Sequence, residues 1–294
     1  MKRRYVLPIL IVTVAGSAAA APDWPASSSL YIDYRARPAI ADIASHSHSI
    51  VDATAQLDKA AAKKNGTKLL AYLSIVEVAA STEREKQAQA RGVEFVGRNQ
   101  AWESRLMMVG SPQWHEFVMV DGIEPIMRSG FDGIFIDTVD SLQLLPEPRQ
   151  RETAKRAIVR AIGEVKSKWA NAEIWLNRGF ELLPEVRGSV NTILVESVYQ
   201  TFDTATRKHH SVPVEGSAWI EKKIFEAQRL GFRVAVVDYV PPVRSELAIE
   251  TVERLRNLGV LPLVTTPELT GVVVAPRRPT HPQVLETPSS RVPK

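Results

Sequence analysis

The stretch Gly130-Phe131-Asp132-Gly133-Ile134-Phe135-Ile136-Asp137-Thr138-Val139-Asp140 decides the fold. Ile134, Phe135 and Ile136 form a short apolar run that stops on one carboxylate, with another three residues later. A strand without a polar face is buried on both sides, which is the habit of parallel α/β sheets. The C-terminal ends of such strands are where α/β enzymes carry their chemistry. The same pattern recurs along the chain at Leu30–Asp33, Ile50–Asp52, Leu69–Ser74, Ile174–Asn177, Ile193–Glu196, Val234–Asp238 and Leu261–Thr265. Helical spacing of apolar residues separates most of these runs. In 151–170 it falls on Ala154, Ala157, Ile158, Ala161, Ile162, Val165 and Trp169, and comparable stripes occupy 217–231 and 245–259. Such βα units predict an α/β fold of the (β/α)8, TIM-like barrel type, with a doubly wound open sheet as the alternative. A further apolar run, Leu106–Val109, lies in the long connection after the third strand and reads as loop or added strand.

The ends of the chain differ from its middle. Lys2, Arg3 and Arg4, then an apolar core from Val6 to Val14 and small residues from Ser17 to Ala21, have the layout of a signal peptide. Residues 1–20 are therefore expected to be removed, with cleavage before Ala21, placing the protein in the periplasm or outside the cell. The apolar core is shorter than the ~20 residues needed to span a bilayer, so no membrane insertion is expected after cleavage. Residues 21–271 are expected to form the barrel domain. Residues 272–294, with Pro276, Pro279, Pro282, Pro288 and Pro293 among polar neighbours, read as a disordered tail.

Composition removes several function classes. The chain holds 37 basic and 33 acidic residues, but three of the basic ones belong to the signal segment. The exported protein is then nearly neutral, and without basic runs interleaved with aromatics it offers no nucleic-acid footprint. It has no cysteine, hence no disulfide and no thiolate metal site. There is no Gly-x-Ser-x-Gly elbow, no phosphate-cradling glycine loop and no His-Glu-x-x-His pair. The six histidines are scattered, and His209-His210 reads as surface loop.

What remains is a set of polar strand ends. They are Asp33-Tyr34, Asp52, the segment from Tyr72 through Ser74 to Glu77, Asp137 with Asp140, Asn177-Arg178-Gly179, Glu196, and Asp238-Tyr239. In a barrel these converge on one rim, where so many carboxylates repel unless some are protonated, hydrogen-bonded or facing a cation. An Asp at a strand end also caps helices, and Asp52, followed by Ala53-Thr54, is the best candidate for that role. Asp33 and Asp238 have Arg35 and Arg233 as candidate structural partners. Asp137 and Glu196 stand out because each directly follows three apolar residues. Two carboxylates at one mouth point to the acid–base and nucleophilic chemistry of glycoside hydrolysis.

Taken in order, Tyr72-Leu73-Ser74-Ile75-Val76-Glu77, Gly130 to Asp140, Asn177-Arg178-Gly179-Phe180, Val195-Glu196-Ser197-Val198 and Val237-Asp238-Tyr239 resemble glycoside hydrolase family 114, the endo-α-1,4-polygalactosaminidases. The resemblance runs from about Leu30 to Thr266. It implies a (β/α)8 barrel that cleaves partially deacetylated α-1,4-linked galactosaminoglycan, a cationic galactosamine-containing polysaccharide, without redox cofactor or metal. It places the catalytic aspartate at Asp137 and the catalytic glutamate at Glu196, with Glu77, Asp140, Asn177, Tyr199 and Asp238 lining the cleft. Tyr34, Tyr72, Tyr199 and Tyr239 are candidates for stacking on sugar faces. The chain departs from the family's pattern at Val76, where members commonly carry glycine. The competing expectations are a polysaccharide-binding barrel without turnover and a hydrolase of another amino-sugar polymer.

Overall fold

The computed structural model describes residues 23–243 and 245–274. The expected signal segment and the expected tail beyond 274 lie outside the described residues. Eight parallel strands, β1 (Leu30–Asp33), β2 (His48–Asp52), β3 (Lys68–Ser74), β4 (Gly133–Asp137), β5 (Glu173–Asn177), β6 (Thr192–Glu196), β7 (Arg233–Tyr239) and β8 (Leu261–Thr265), pair in sequence order. The helices Pro148–Lys168, Val214–Arg229 and Ser245–Asn257 are among those that return the chain between strands. This is the (β/α)8 barrel expected from the apolar runs.

Strand alternation divides the barrel residues into two cores. Leu30, Ile32, Ile50, Leu70, Phe135, Trp175, Leu194, Ala235 and Val237 point inward and fill the barrel. Ile134 and Ile136 of β4, like Ile193 and Val195 of β6, point outward and pack against the helix layer with Ile158, Ile162 and Ile224. The run Ile134–Ile136 therefore serves both cores, which is why it has no polar phase. Aromatic rings close the floor at the N-terminal ends of the strands. There Trp24 donates through Nε1 to the Val234 carbonyl (2.8 Å) and packs on Trp175 and His48.

The barrel is completed by a short return segment. β1 and β8 are neighbours without a ladder of their own, and residues 269–271 run antiparallel to β1 at this seam. Tyr34 N–H donates to the Leu269 carbonyl (2.9 Å) and Gly271 N–H to the Ile32 carbonyl (3.0 Å). Residues 272–274 stay on β8, with Thr265 Oγ1 donating to the Val272 carbonyl (2.5 Å) and Val274 N–H to the Val264 carbonyl (3.0 Å).

An insertion after β3 forms a second, antiparallel sheet of Glu77–Ala79, Ser104–Met107 and Phe95–Asn99, with the Ser104–Met107 strand in the middle. The run at Leu106–Val109 thus begins in an added strand and leaves it after Met107. After β6, Gln200–Asp203 and Lys208–Ser211 pair as a hairpin. His209 and His210 therefore lie in a strand rather than a loop, and His209 packs its ring on Phe202. Sheet hydrogen bonds, not local polarity, decide that assignment.

The seam makes a specific demand at Gly271. Its φ is +78°, and a Cβ there would meet Tyr31 Oη at 2.1 Å and Asp33 Oδ2 at 3.0 Å. Gly271→Ala should cost about 2–4 kcal/mol in urea unfolding, left-handed backbone and overpacking together. Gly66→Ala, at φ +84° with open space around it, should cost only about 1 kcal/mol. Equal losses at the two sites would mean that the seam is not tightly packed.

Candidate active site

The mouth is assembled by parity. Asp137 continues the inward series of Phe135, Asn177 that of Trp175, Glu196 that of Leu194, and Tyr239 that of Val237. Tyr72 does so on β3, and Tyr34 follows β1 with the same phase. These side chains are all half-buried or buried, and Tyr72, Asp137, Asn177, Glu196 and Tyr239 form one hydrogen-bonded group against which Tyr34 packs.

At its centre is the Asn177 amide. Its Nδ2 donates to Asp137 Oδ1 at 2.7 Å and to Glu196 Oε1 at 3.0 Å. Each carboxylate receives a second bond from a phenol: Tyr72 Oη to Asp137 Oδ2 at 2.7 Å, and Tyr239 Oη to Glu196 Oε2 at 2.7 Å. Because both acceptor oxygens bind one nitrogen, they lie less than about 6 Å apart, close to the separation of carboxyl pairs in retaining glycosidases and short of the ~6.5–9.5 Å of inverting ones. Tyr34 packs on Tyr72, with ring centroids 4.9 Å apart.

The surroundings of Glu196 disfavour its charge. Burial, reinforced by the negative charge of Asp137, raises the Glu196 carboxyl above the ordinary glutamate range; Tyr239, Arg178 and Asn177 oppose that rise. Burial, then the charge and hydrogen bond of the facing carboxylate, keeps Tyr72 and Tyr239 protonated well past ordinary phenol pKa values, so both remain donors.

Three consecutive turns hold these groups. Thr138 after Asp137, Arg178 after Asn177 and Ser197 after Glu196 adopt left-handed backbone, at φ +65°, +50° and +58°. The Thr138 hydroxyl does not serve the Asp137 carboxylate. It donates to the Asp137 carbonyl (2.7 Å), accepts from Val76 N–H (3.1 Å) and meets Ser74 Oγ (2.8 Å). Val76 itself is fully buried. Ser74 Oγ also donates to the Glu77 carbonyl at 2.6 Å, tying the added sheet to the mouth.

Other sequence candidates stand elsewhere. Glu77 is buried in the added sheet, where Asn99 Nδ2 (3.0 Å) and Ser104 Oγ donate to its carboxylate. Asp140 is exposed on the rim and accepts from Gly179 N–H at 3.1 Å. Asp52 accepts from Thr54 N–H (2.7 Å) and Oγ1 (2.5 Å), folding a tight turn, while the following helix is capped by Asp58 through Ala61 N–H (3.1 Å).

Asp33 and Asp238 have the opposite parity from their mouth neighbours and turn away from the barrel interior. Asp33 is gripped by Arg35, Nε at 2.9 Å and Nη2 at 2.5 Å, as the pairing of charges suggested. Asp238 accepts three backbone N–H bonds, from Val198 (2.7 Å), Tyr199 (2.8 Å) and Gln200 (2.9 Å), rather than pairing with Arg233. Burial pushes its carboxyl up to about 6 against those donors. It thus anchors the loop behind Glu196. Tyr199 faces the helix layer, donating to Glu221 Oε1 (2.8 Å) beneath the Arg254 guanidinium.

Arg178, part of the polar end of β5 but without a role assigned from the sequence, contacts the mouth from behind. Its Nη2 donates to the Glu196 carbonyl at 2.8 Å, and its position directly after Asn177 was the available signal. Among the described residues, no group of three or more His, Cys, Asp or Glu is arranged to hold a metal ion, and no helix is long and apolar enough to cross a membrane.

Similarity to known proteins agrees with this geometry. The glycoside hydrolase domain of PelA from Pseudomonas aeruginosa is 30% identical, with a TM-score of 0.76, and the match covers 84% of this chain and 98% of that one. A single-residue variant of that domain matches equally well in structure, at 28% identity and the same coverage. Ega3 from Aspergillus fumigatus, solved in complex with galactosamine, has the same fold at 13% identity and a TM-score of 0.60, with 88% of this chain and 99% of that one covered. No curated protein sequence matches the chain. The model of glycoside hydrolase family GH114 matches residues 14–281, and the chain belongs to that family of glycoside hydrolases.

Proposed function

We propose that this chain is an exported endo-glycosidase that hydrolyses α-1,4-linked, partially deacetylated galactosaminoglycan, with Glu196 as general acid and Asp137 as nucleophile. The observation that carries the reading is the Asn177 Nδ2 bridge between the two carboxylates. A glycosidic oxygen is a poor leaving group and needs a proton donor whose pKa is raised, while the anomeric carbon needs a carboxylate within reach. Glu196 has the environment of the donor, since burial and Asp137 both favour its neutral form. Asp137, receiving the Tyr72 hydroxyl and the Asn177 amide, has the environment of the nucleophile. The short separation supports a covalent glycosyl intermediate and retention of configuration. Galactosamine bound to Ega3 supports an amino-sugar substrate, and a mouth with ionised carboxylate suits a polycationic one.

Asp137→Asn and Glu196→Gln should each lower kcat by about 10³-fold or more on α-1,4-galactosamine oligomers. The sign of the stability change separates Glu196 from an ordinary core residue. A carboxyl raised in the folded state stabilises it at low pH and loses that contribution as pH rises through the raised pKa. Glu196→Gln should therefore be at least as stable as the parent in thermal unfolding at neutral pH, although inactive. A variant that kept near-normal turnover would remove Glu196 from the mechanism.

The alkaline limb of kcat/KM should lie above the usual carboxylate range, because Glu196 must be protonated to act. Product analysis on fully deacetylated, partially acetylated and fully acetylated oligomers checks the substrate. Cleavage that requires free amino groups is expected. Cleavage of other amino-sugar polymers instead, or binding without turnover, would replace this reading. N-terminal sequencing of the exported protein should begin at Ala21, and an intact Met1 in a membrane pellet would overturn export.

A further inference from the structure

The groups that touch the two carboxylates do not hold the backbone under them. Glu196 is the last residue of β6, and Ser197 turns into the left-handed region and sends its N–H to the Val237 carbonyl at 2.9 Å. The Glu196 carbonyl is met from the other side by Arg178, whose Nη2 donates to it at 2.8 Å. The backbone N–H of Arg178 donates to the Leu194 carbonyl, also at 2.8 Å. One residue thus grips β6 at both ends of its last inward step, from Leu194 to Glu196. Its Nη1 is 3.9 Å from Asp140 Oδ2, and Asp140 is itself held by Gly179 N–H at 3.1 Å. Arg178 makes these contacts from left-handed backbone, a conformation that a residue with a Cβ adopts reluctantly.

We propose that Arg178 is a positioning residue for Glu196, fixing from the β5 turn where the glutamate carboxyl stands relative to Asp137. The inference rests on Glu196 acting as the general acid. Around that carboxyl stand Asp137 on β4, Tyr72 on β3, Tyr34 after β1 and Tyr239 on β7. Asp52 on β2 lies beyond Tyr34, Asp140 and Glu181 lie beyond Arg178, and β8 has no titratable residue. The Arg178 guanidinium, bonded to the Glu196 carbonyl, is a cation beside this anionic group, and its charge opposes the rise of the Glu196 pKa. Removing it must shift the Glu196 proton to higher pH, because a cation favours the ionised form. A merely structural contact would leave the pH profile in place.

The test compares Arg178→Gln and Arg178→Lys with the parent on α-1,4-galactosamine oligomers, measuring kcat, KM and the pH profile, with thermal unfolding as the folding check. Arg178→Gln should lower kcat about 10-fold or more with KM within about 2-fold, and move the alkaline limb upward by roughly half a pH unit or more. Arg178→Lys keeps the charge but not the planar fork, so it should lower kcat about 5-fold or more and leave the limb in place. A folded Gln variant whose limb does not move, or whose kcat stays within about 2-fold of the parent, overturns the proposal. Should the Gln variant fail to fold, the Lys variant decides, and parental kcat in it is the overturning result. Glu196→Gln measured alongside separates the two failures. Retained turnover there sinks the acid assignment itself, whereas an inactive Glu196→Gln beside an unaltered Arg178→Gln sinks only the role of Arg178.

Discussion

Two carboxylates share one amide nitrogen at the mouth of this barrel, and the surrounding structure is arranged so that they can. At an effective dielectric near 20, two unit charges about 5 Å apart repel by about 3 kcal/mol, so the pair needs donors and an unequal proton distribution. Asn177 supplies the shared donor, and Tyr72 and Tyr239 supply one each. The hydrogen bonding is almost symmetric, while burial and the charge of Asp137 make Glu196 reluctant to ionise. The arrangement has a cost on the far side of the amide. Asn177 Oδ1 is buried without a partner. Such an atom costs about 1–3 kcal/mol, yet turning the amide over would point its oxygen at two carboxylates.

Strain accompanies the same three strands. β4, β5 and β6 each end on a mouth residue, and each is followed by a non-glycine in the left-handed region. For a β-branched residue such as Thr138 this conformation is uncommon, and it persists only where surrounding bonds over-determine it. Thr138 has such bonds to Val76, Ser74 and its own strand, and Arg178 has them to β6. The turns bend the chain away directly after Asp137, Asn177 and Glu196, so each side chain is the last to point inward. Precision at the mouth is thus stored in backbone turns.

The strands were legible because a barrel strand is buried on both faces and reads as an apolar run, and β1 and β8 carry the expected bounds. The same property hid the phase of their ends. In Val236-Val237-Asp238-Tyr239 both faces are apolar up to the last step, so nothing local says whether Asp238 or Tyr239 points inward. Register with β6 decides it, pairing Val237 with Glu196 and leaving Asp238 to the loop behind. Asp33 beside Tyr34 poses the same ambiguity. Tyr199 looked like a rim aromatic, but its loop folds back over β7, where Glu221 takes its hydroxyl and Arg254 covers its ring face. Two strands of the added sheet, Glu77–Ala79 and Phe95–Asn99, escaped notice because three to five residues without an apolar run form a strand only when a partner is present.

The seam connects closure of the barrel to its chemistry. β1 and β8 leave a gap in the ladder, and the return segment fills it with the Leu269 carbonyl on Tyr34 and the Gly271 N–H on Ile32. Tyr34 packs on Tyr72, and Tyr72 donates to Asp137. A displacement of the return segment would therefore pass through two aromatic rings to the proposed nucleophile. Asp33, which parity turns away from the mouth, takes part from outside: with Tyr31 and Arg35 it forms the polar wall against which Gly271 is pressed. A carboxylate at a strand end, whose sequence already offered Arg35 as a partner, is thus part of what keeps the barrel shut, and a shut barrel is what brings Tyr34 against Tyr72.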